Sequence, residues 1–126
     1  MIRRVTIPNI LQPVSHYCHV VEANNIVWVS GLVGMFPDGT IPSDTLAQFD
    51  VAMSDLETCL QAVGSTRDDV VKVRVFMIDI SERELINPRR IEFFGDHKPA
   101  SSLVEVSGLV DPRMKVEIEA EAIVSV

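Results

Sequence analysis

Hydrophobic and polar positions alternate most cleanly near the C-terminus. Val116, Ile118, Ala120, Ala122 and Val124 take one side of a run in which Lys115, Glu117, Glu119, Glu121 and Ile123 take the other. A period of two is that of a strand with one dry and one wet face, which predicts a strand over 114–124. The segment 69–80, DVVKVRVFMIDI, has the same period. It sets Val71, Val73, Val75 and Met77 against Val70, Lys72, Arg74, Phe76 and Ile78. Residues 101–109 alternate as well, and the turn VDPR at 110–113 joins them to the last strand. Near the N-terminus, Val20 to Ala23 and Ile26 to Ser30 are β-prone runs separated by Asn24-Asn25. Asparagine tolerates positive φ, so this pair suits a two-residue hairpin turn.

The period changes after the loop MFPDGTIPSD at 35–44. Leu46, Phe49, Met53, Leu56, Leu60 and Val63 recur at steps of three and four, the apolar stripe of an amphipathic helix. Thr45 with Gln48 fits a capping box at its start, and Gly64 fits its stop. A shorter helix is predicted within 81–96, with Leu85, Ile86, Ile91, Phe93 and Phe94 on its apolar side. Pro88 suits a first turn, so the main helix is expected to begin near Asn87 and to end at Gly95. The order β-β-α-β-α-β-β predicts one α+β domain over 1–126, a mostly antiparallel sheet with two helices packed on one face. The other face would be part apolar and part acidic, a reason to expect self-association with polar groups gathered at the seams.

Composition narrows the partners. The 126 residues suffice for a single core, and 47% hydrophobic with 23% charged is an ordinary globular balance. A net charge of -7 argues against nucleic acid and anionic membrane surfaces, which need clustered Lys and Arg. No apolar run reaches the roughly 18 residues of a membrane span. The N-terminus MIRRVTIPNILQP has no signal-length apolar run, so a cytoplasmic location is expected. Cys18 and Cys59 lack metal or redox spacing and are expected to be reduced thiols.

Four places could carry chemistry. Glu117 is one of three alternating glutamates; such a set usually forms a wet face, but at a seam one member could be desolvated and move protons. Ser30-Gly31 inside a strand marks a bulge or a close approach to the backbone. In SHYCH, 15–19, His16 and His19 lack further ligands, so no metal site is expected, while Tyr17 is a candidate pocket wall. In INPRRIEFF, Asn87 is an N-cap candidate first and a ligand contact second, and Arg89 or Arg90 could reach an anion. No nucleophile–base pair or phosphate loop is present. Pattern and composition alone leave an α+β domain without an assigned activity.

The stretches SHYCHVV, VWVSGLV, GSTRDDVVKVRVFMIDI, INPRRIEFFGDHKPAS and VEIEAEA, in this order over nearly the whole chain, resemble the Rid (YjgF) family of reactive intermediate deaminases. The resemblance implies a chorismate-mutase-like protomer, a homotrimer with clefts between subunits, and cofactor-free hydrolysis of enamines and imines to carbonyl compounds and ammonia. By position it implies that Tyr17, Ser30, Gly31, Asn87, Ser101, Leu103 and Glu117 belong to the cleft, with Glu117 in the catalytic role. In deaminating members the residue after Pro-Ala is an arginine that clamps the substrate carboxylate; here it is Ser101. The expected function is therefore a deaminase-like hydrolase of altered specificity on a small metabolite. The alternative is an inactive small-ligand-binding or regulatory protein. Arg89, Arg90 and Arg74 are the candidates to replace the missing clamp.

Overall fold

A computed structural model describes residues 1–124. In chain order its elements are β1 (Ile2–Val5), β2 (Val20–Ala23), β3 (Ile26–Val33), α1 (Thr45–Ala62), β4 (Val70–Met77), α2 (Arg83–Phe94), β5 (Ala100–Glu105) and β6 (Val116–Ile123). The strands form one sheet in the order β1-β2-β3-β6-β4-β5. All neighbours are antiparallel except β4 and β5, which run parallel. The predicted α+β architecture is the one observed, with α1 and α2 against one side of the sheet.

β6 lies between β3 and β4 and is buried as its alternation requires. Val116, Ile118, Ala120 and Ala122 are buried while Glu117, Glu119 and Glu121 are half-buried on the open side. The inner side meets the stripe Phe49, Met53, Leu56, Leu60 and Val63 from α1 and its end, joined by Ile86, Phe93 and Phe94 from α2. Asn24 and Asn25 take positive φ at the β2–β3 turn, as predicted.

Several boundaries differ from expectation, each for a local reason. β1 was not foreseen: Ile2, Arg3 and Arg4 are exposed and Val5 only half-buried, so no alternation marks it. Charged side chains on such an edge strand also oppose pairing with other chains. The cap of α1 is Asp44, whose carboxylate accepts from Ala47 N at 2.8 Å, rather than a Thr45/Gln48 box. Thr45 instead donates to Glu82 at 2.7 Å. Gln48 is fully buried; its amide donates to the Pro42 and Arg113 carbonyls at 2.8 and 3.0 Å and accepts from Lys115 N at 2.8 Å. β4 has a register shift between Val70 and Lys72. That bulge turns Val70 inward and leaves Val71 exposed, reversing their expected sides. α2 begins at Arg83, so Pro88 and Asn87 are interior and Asn87 is not the N-cap. Leu85 and Ile91 face solvent instead of the core. β5 ends at Glu105, four residues earlier than expected.

Gly34 sets how closely α1 approaches the sheet. A Cβ there would lie 2.3 Å from the Gln48 Cα, which is rigid helix backbone. At Gly108 an added Cβ would meet nothing within 4 Å. Gly34→Ala is therefore expected to destabilise the fold by roughly 1–3 kcal/mol through overpacking, and Gly108→Ala to change stability little. Urea unfolding of the two variants beside the parent chain measures the difference.

Candidate functional site

The three glutamates of β6 look alike in sequence but not in register. Across the β4 ladder Glu121 pairs with Lys72, Glu119 with Arg74, and Glu117 with Phe76. Arg74 donates to Glu121 at 2.9 Å, and both carboxylates raise the Arg74 pKa, the Glu121 hydrogen bond most. Glu117 alone of the three has an apolar neighbour on that ladder, and on its other flank it faces Val33 of β3. Burial raises its carboxyl pKa above the ordinary 4.5, with a smaller push from the Glu119 charge.

Gly31 makes room for this carboxylate. A Cβ at position 31 would lie 2.3 Å from Glu117 Oε2, so a residue without a side chain is what lets Glu117 rest against β3. The register of β3 on β6 shifts between Val29 and Leu32, the bulge that Ser30-Gly31 suggested. Ser30 N donates to His19 O at 2.9 Å and its hydroxyl donates to Cys18 O at 2.6 Å. Both bonds fix the segment carrying Tyr17 beside the bulge. Tyr17 is exposed, and its hydroxyl accepts from Val14 N at 3.3 Å.

Glu117, Gly31 and Tyr17 line a cavity of about 60 Å³ together with His19, Asp55 and Met114. His19 is buried and held at both ring nitrogens. Nδ1 accepts from Ile7 N at 2.8 Å, which leaves Nε2 to donate to Leu11 O at 2.8 Å. With both nitrogens engaged by backbone, His19 is a structural pin for the 7–19 segment. Asp55, from α1, was not singled out by the sequence. Burial pushes its pKa up from 3.8 to about 6, opposed by the nearby His19. Its only signal was a charge flanking the α1 stripe, next to Leu56 and one turn from Cys59.

The remaining predicted residues lie elsewhere. Ser101 pairs laterally with Val73, and Leu103 with Val75, both inward-facing residues. Ser101 and Leu103 thus share the helix side, while Glu117, level with Phe76 and Val104, is on the open side. Leu103 packs on the core. Ser101 is exposed and accepts a hydrogen bond from Arg90 Nη2 at 2.6 Å. Asn87 and Arg90 line a second cavity of about 300 Å³ at the end of α2. Of the other candidate cations, Arg89 is paired with Asp50 at 3.0 Å and Arg74 with Glu121. One chain therefore holds two separate groups, one around Glu117 and one around Arg90 and Ser101, on opposite faces of the sheet.

A protomer of this topology with a desolvated glutamate beside a strand bulge belongs to a defined class. The family model described as endoribonuclease L-PSP matches residues 7–124, and the chain belongs to that family, the YjgF/Rid family. It is similar to protein HMF1 of Saccharomyces cerevisiae, with 32% identity over 108 residues, 85% of this chain and 81% of that protein. It is 30% identical over 127 residues to the 2-iminobutanoate/2-iminopropanoate deaminase of Escherichia coli K12, covering 98% of each. The crystal structure of the yeast protein YEO7 superposes with a TM-score of 0.92 at 27% identity, covering 98% of both chains.

The Asp55 carboxyl supplies a prediction about stability. Its folded pKa is raised, so the folded chain binds the extra proton between pH 3.8 and about 6. Stability should fall as pH rises across that window and stay reduced above it. Asp55→Asn removes the penalty. It is expected to stabilise the chain at pH 7 by on the order of 1 kcal/mol, a figure discounted for the water-facing half of the group, or roughly 3 °C in Tm. At pH 3.5 the two proteins should melt together; thermal unfolding at both pH values checks it.

Proposed function

We propose that the chain is a cofactor-free imine and enamine hydrolase, acting on a small metabolite in clefts between the subunits of a cytoplasmic homotrimer. The observation that carries this reading is Glu117: half-buried, without a cation across the β4 ladder, raised in pKa and pressed against Gly31 in a cavity with Tyr17. A carboxylate tuned toward neutrality is suited to take and return a proton. Membership of the family and the similarity to a named imine deaminase support the same chemistry. The separation of Glu117 from Ser101 and Asn87 supports the assembly, because two chains are needed to bring such groups to one ligand. Trp28 and Val104, exposed on the open face, are apolar surface of the kind subunit contacts cover.

In this mechanism an enamine first gains a proton on carbon and loses one from nitrogen to give the imine. Glu117 holds a water and takes one of its protons as the oxygen adds to the C=N carbon. Glu117 passes that proton to nitrogen, giving the carbinolamine, then carries the hydroxyl proton to nitrogen as the C–N bond breaks, and the products are a carbonyl compound and ammonia. Imine plus water balances ketone plus ammonia with no other reactant. Tyr17 and the backbone at Gly31 border the ligand from the Glu117 side; Asn87 and Ser101 do so from the neighbouring chain. The ribonuclease activity in the family description finds no support in a chain of net charge -7, which disfavours a phosphate backbone.

One observation favours a second reading. Ser101 stands where the resemblance expects the carboxylate-binding arginine, and a protein that lost its clamp could bind a metabolite without turning it over. Ammonia release from 2-iminobutanoate generated in situ separates the two. The hydrolase reading expects a rate well above buffer, reduced about 100-fold or more by Glu117→Gln, with the mass by light scattering unchanged. It also expects the rate to fall on acidification at a pH above that of an ordinary glutamate, because the base must be ionised to accept a proton. A rate equal to buffer, or a fully active Glu117→Gln variant, overturns it.

A further inference from the structure

We propose that Arg90 forms the anion subsite of this protein, receiving the carboxylate of a small organic acid with an apolar side chain at the end of α2. The proposal deepens the hydrolase reading, and rests on it only for the link between this subsite and turnover.

Arg90 occupies an unusual place on its helix. The inward stripe of α2 runs Ile86, Phe93 and Phe94, and Arg90 falls on that stripe, four residues after Ile86 and three before Phe93. Helical periodicity puts an apolar residue there; this chain puts a guanidinium, half-buried, and burial lowers its pKa. Buried arginine is ordinarily paired with an acid. Arg3, Arg67, Arg74, Arg83, Arg89 and Arg113 each meet a carboxylate. Among the described residues the exposed Arg4 and the half-buried Arg90 meet none, and the one hydrogen bond of Arg90 is to the neutral Ser101 hydroxyl at 2.6 Å. A guanidinium carries five N–H donors, so a flat fork of donors stays free.

The surroundings suit a carboxylate. The cavity of about 300 Å³ beside Arg90 is lined by Asn87 and Lys98 and by apolar Ile91, Phe94 and Pro99, with no acidic residue. Asn87 is one turn before Arg90 on α2 and adds an amide donor. Among the described residues neither Arg90 nor Lys98 has a carboxylate partner, so in a chain of net charge -7 they form a local positive site suited to an anion. Ser101 then has a positive role. Its small side chain admits the Arg90 fork and orients it through the 2.6 Å bond, so that the cation comes from the helix instead of the strand. A bidentate pair with this fork fixes the acid's direction, and Ile91, Phe94 and Pro99 accept its apolar side chain.

Calorimetric titration with 2-oxobutanoate and 2-oxo-4-methylpentanoate, with uncharged 2-butanone as control, tests the subsite apart from catalysis. The parent chain is expected to bind both acids and not the ketone. Arg90→Gln should weaken both by about 10- to 100-fold with an unchanged melting temperature. Arg90→Lys should restore only part, since an ammonium lacks the planar fork. Adding Ser101→Arg to Arg90→Gln should restore binding by returning a guanidinium from the strand. Binding by Arg90→Gln within twofold of the parent, or acids binding no better than 2-butanone, overturns the subsite. Glu117→Gln separates the two readings: it should bind the acids as the parent does while losing turnover. Arg90-dependent binding in a parent chain with no turnover would leave the subsite standing and remove the hydrolase. Turnover indifferent to Arg90, with binding by Arg90→Gln within twofold of the parent, would remove the subsite and leave the hydrolase.

Discussion

The two-residue period of β6 is the constraint on which the rest of this structure depends. β6 is an inner strand, paired on both edges, and its alternate residues belong to two environments with nothing between them. Val116, Ile118, Ala120 and Ala122 close the helix side as dry core. The intervening glutamates are forced to the open side by the same geometry. A slip of one residue would put three carboxylates under α1 and four apolar groups in water, so the register has no nearby alternative.

What distinguishes Glu117 from its two companions is the strand beside it. β4 presents Lys72, Arg74 and Phe76 in the order that meets Glu121, Glu119 and Glu117. Two glutamates are given cations and one is given a phenyl ring. β3 completes the arrangement with Gly31, the residue that leaves space for the carboxylate. The start of β6 is anchored from the helix layer: Gln48 accepts from Lys115 N and donates to Arg113 O. A buried amide with its polar atoms engaged holds the backbone at 113 and 115, and Glu117 follows two residues later on the pleat. Its location is fixed by backbone contacts, independent of any partner for its own oxygens.

Much of this was legible in the chain. The alternation of β6, the stripe of α1 and the Asn24-Asn25 turn each follow from one period or one φ preference. The elements that were missed or misplaced lacked such a signal. β1 is exposed at Ile2, Arg3 and Arg4 and only half-buried at Val5, and so has no period to read. The start of α2 was drawn toward Pro88, because proline's preference for a first turn is a local rule; contacts of Ile86 with the core extend the helix back to Arg83. Val70 and Val71 exchange faces at a bulge that a run of β-branched residues cannot announce. The candidate site divides in the same way. Glu117 and Gly31 could be named from the chain, but that they touch, and that Glu119 and Glu121 lie across from cations while Glu117 lies across from Phe76, is a property of strand register. Arg90 was one of three equivalent cations until the fold paired Arg74 and Arg89 with acids and left Arg90 on the inner stripe.

The placement of the two polar groups on opposite faces ties chemistry to assembly. Each group is incomplete alone: the Glu117 cavity holds a carboxyl raised by burial and no Lys or Arg in its lining, and the Arg90 cavity holds cations and no carboxylate in its lining. Had both been on one face of one chain, Arg90 would have met Glu117 and formed an ion pair, lowering the glutamate's pKa and occupying the guanidinium. Separation within the chain keeps the carboxylate raised and the cation open. In the proposed trimer a neighbouring subunit laid over the open face also removes water from Glu117, which pushes its pKa in the direction that burial has already taken it. The subunit interface then does two things at once: it supplies the second half of the ligand's surroundings, and it reinforces the environment that makes a surface glutamate into a base.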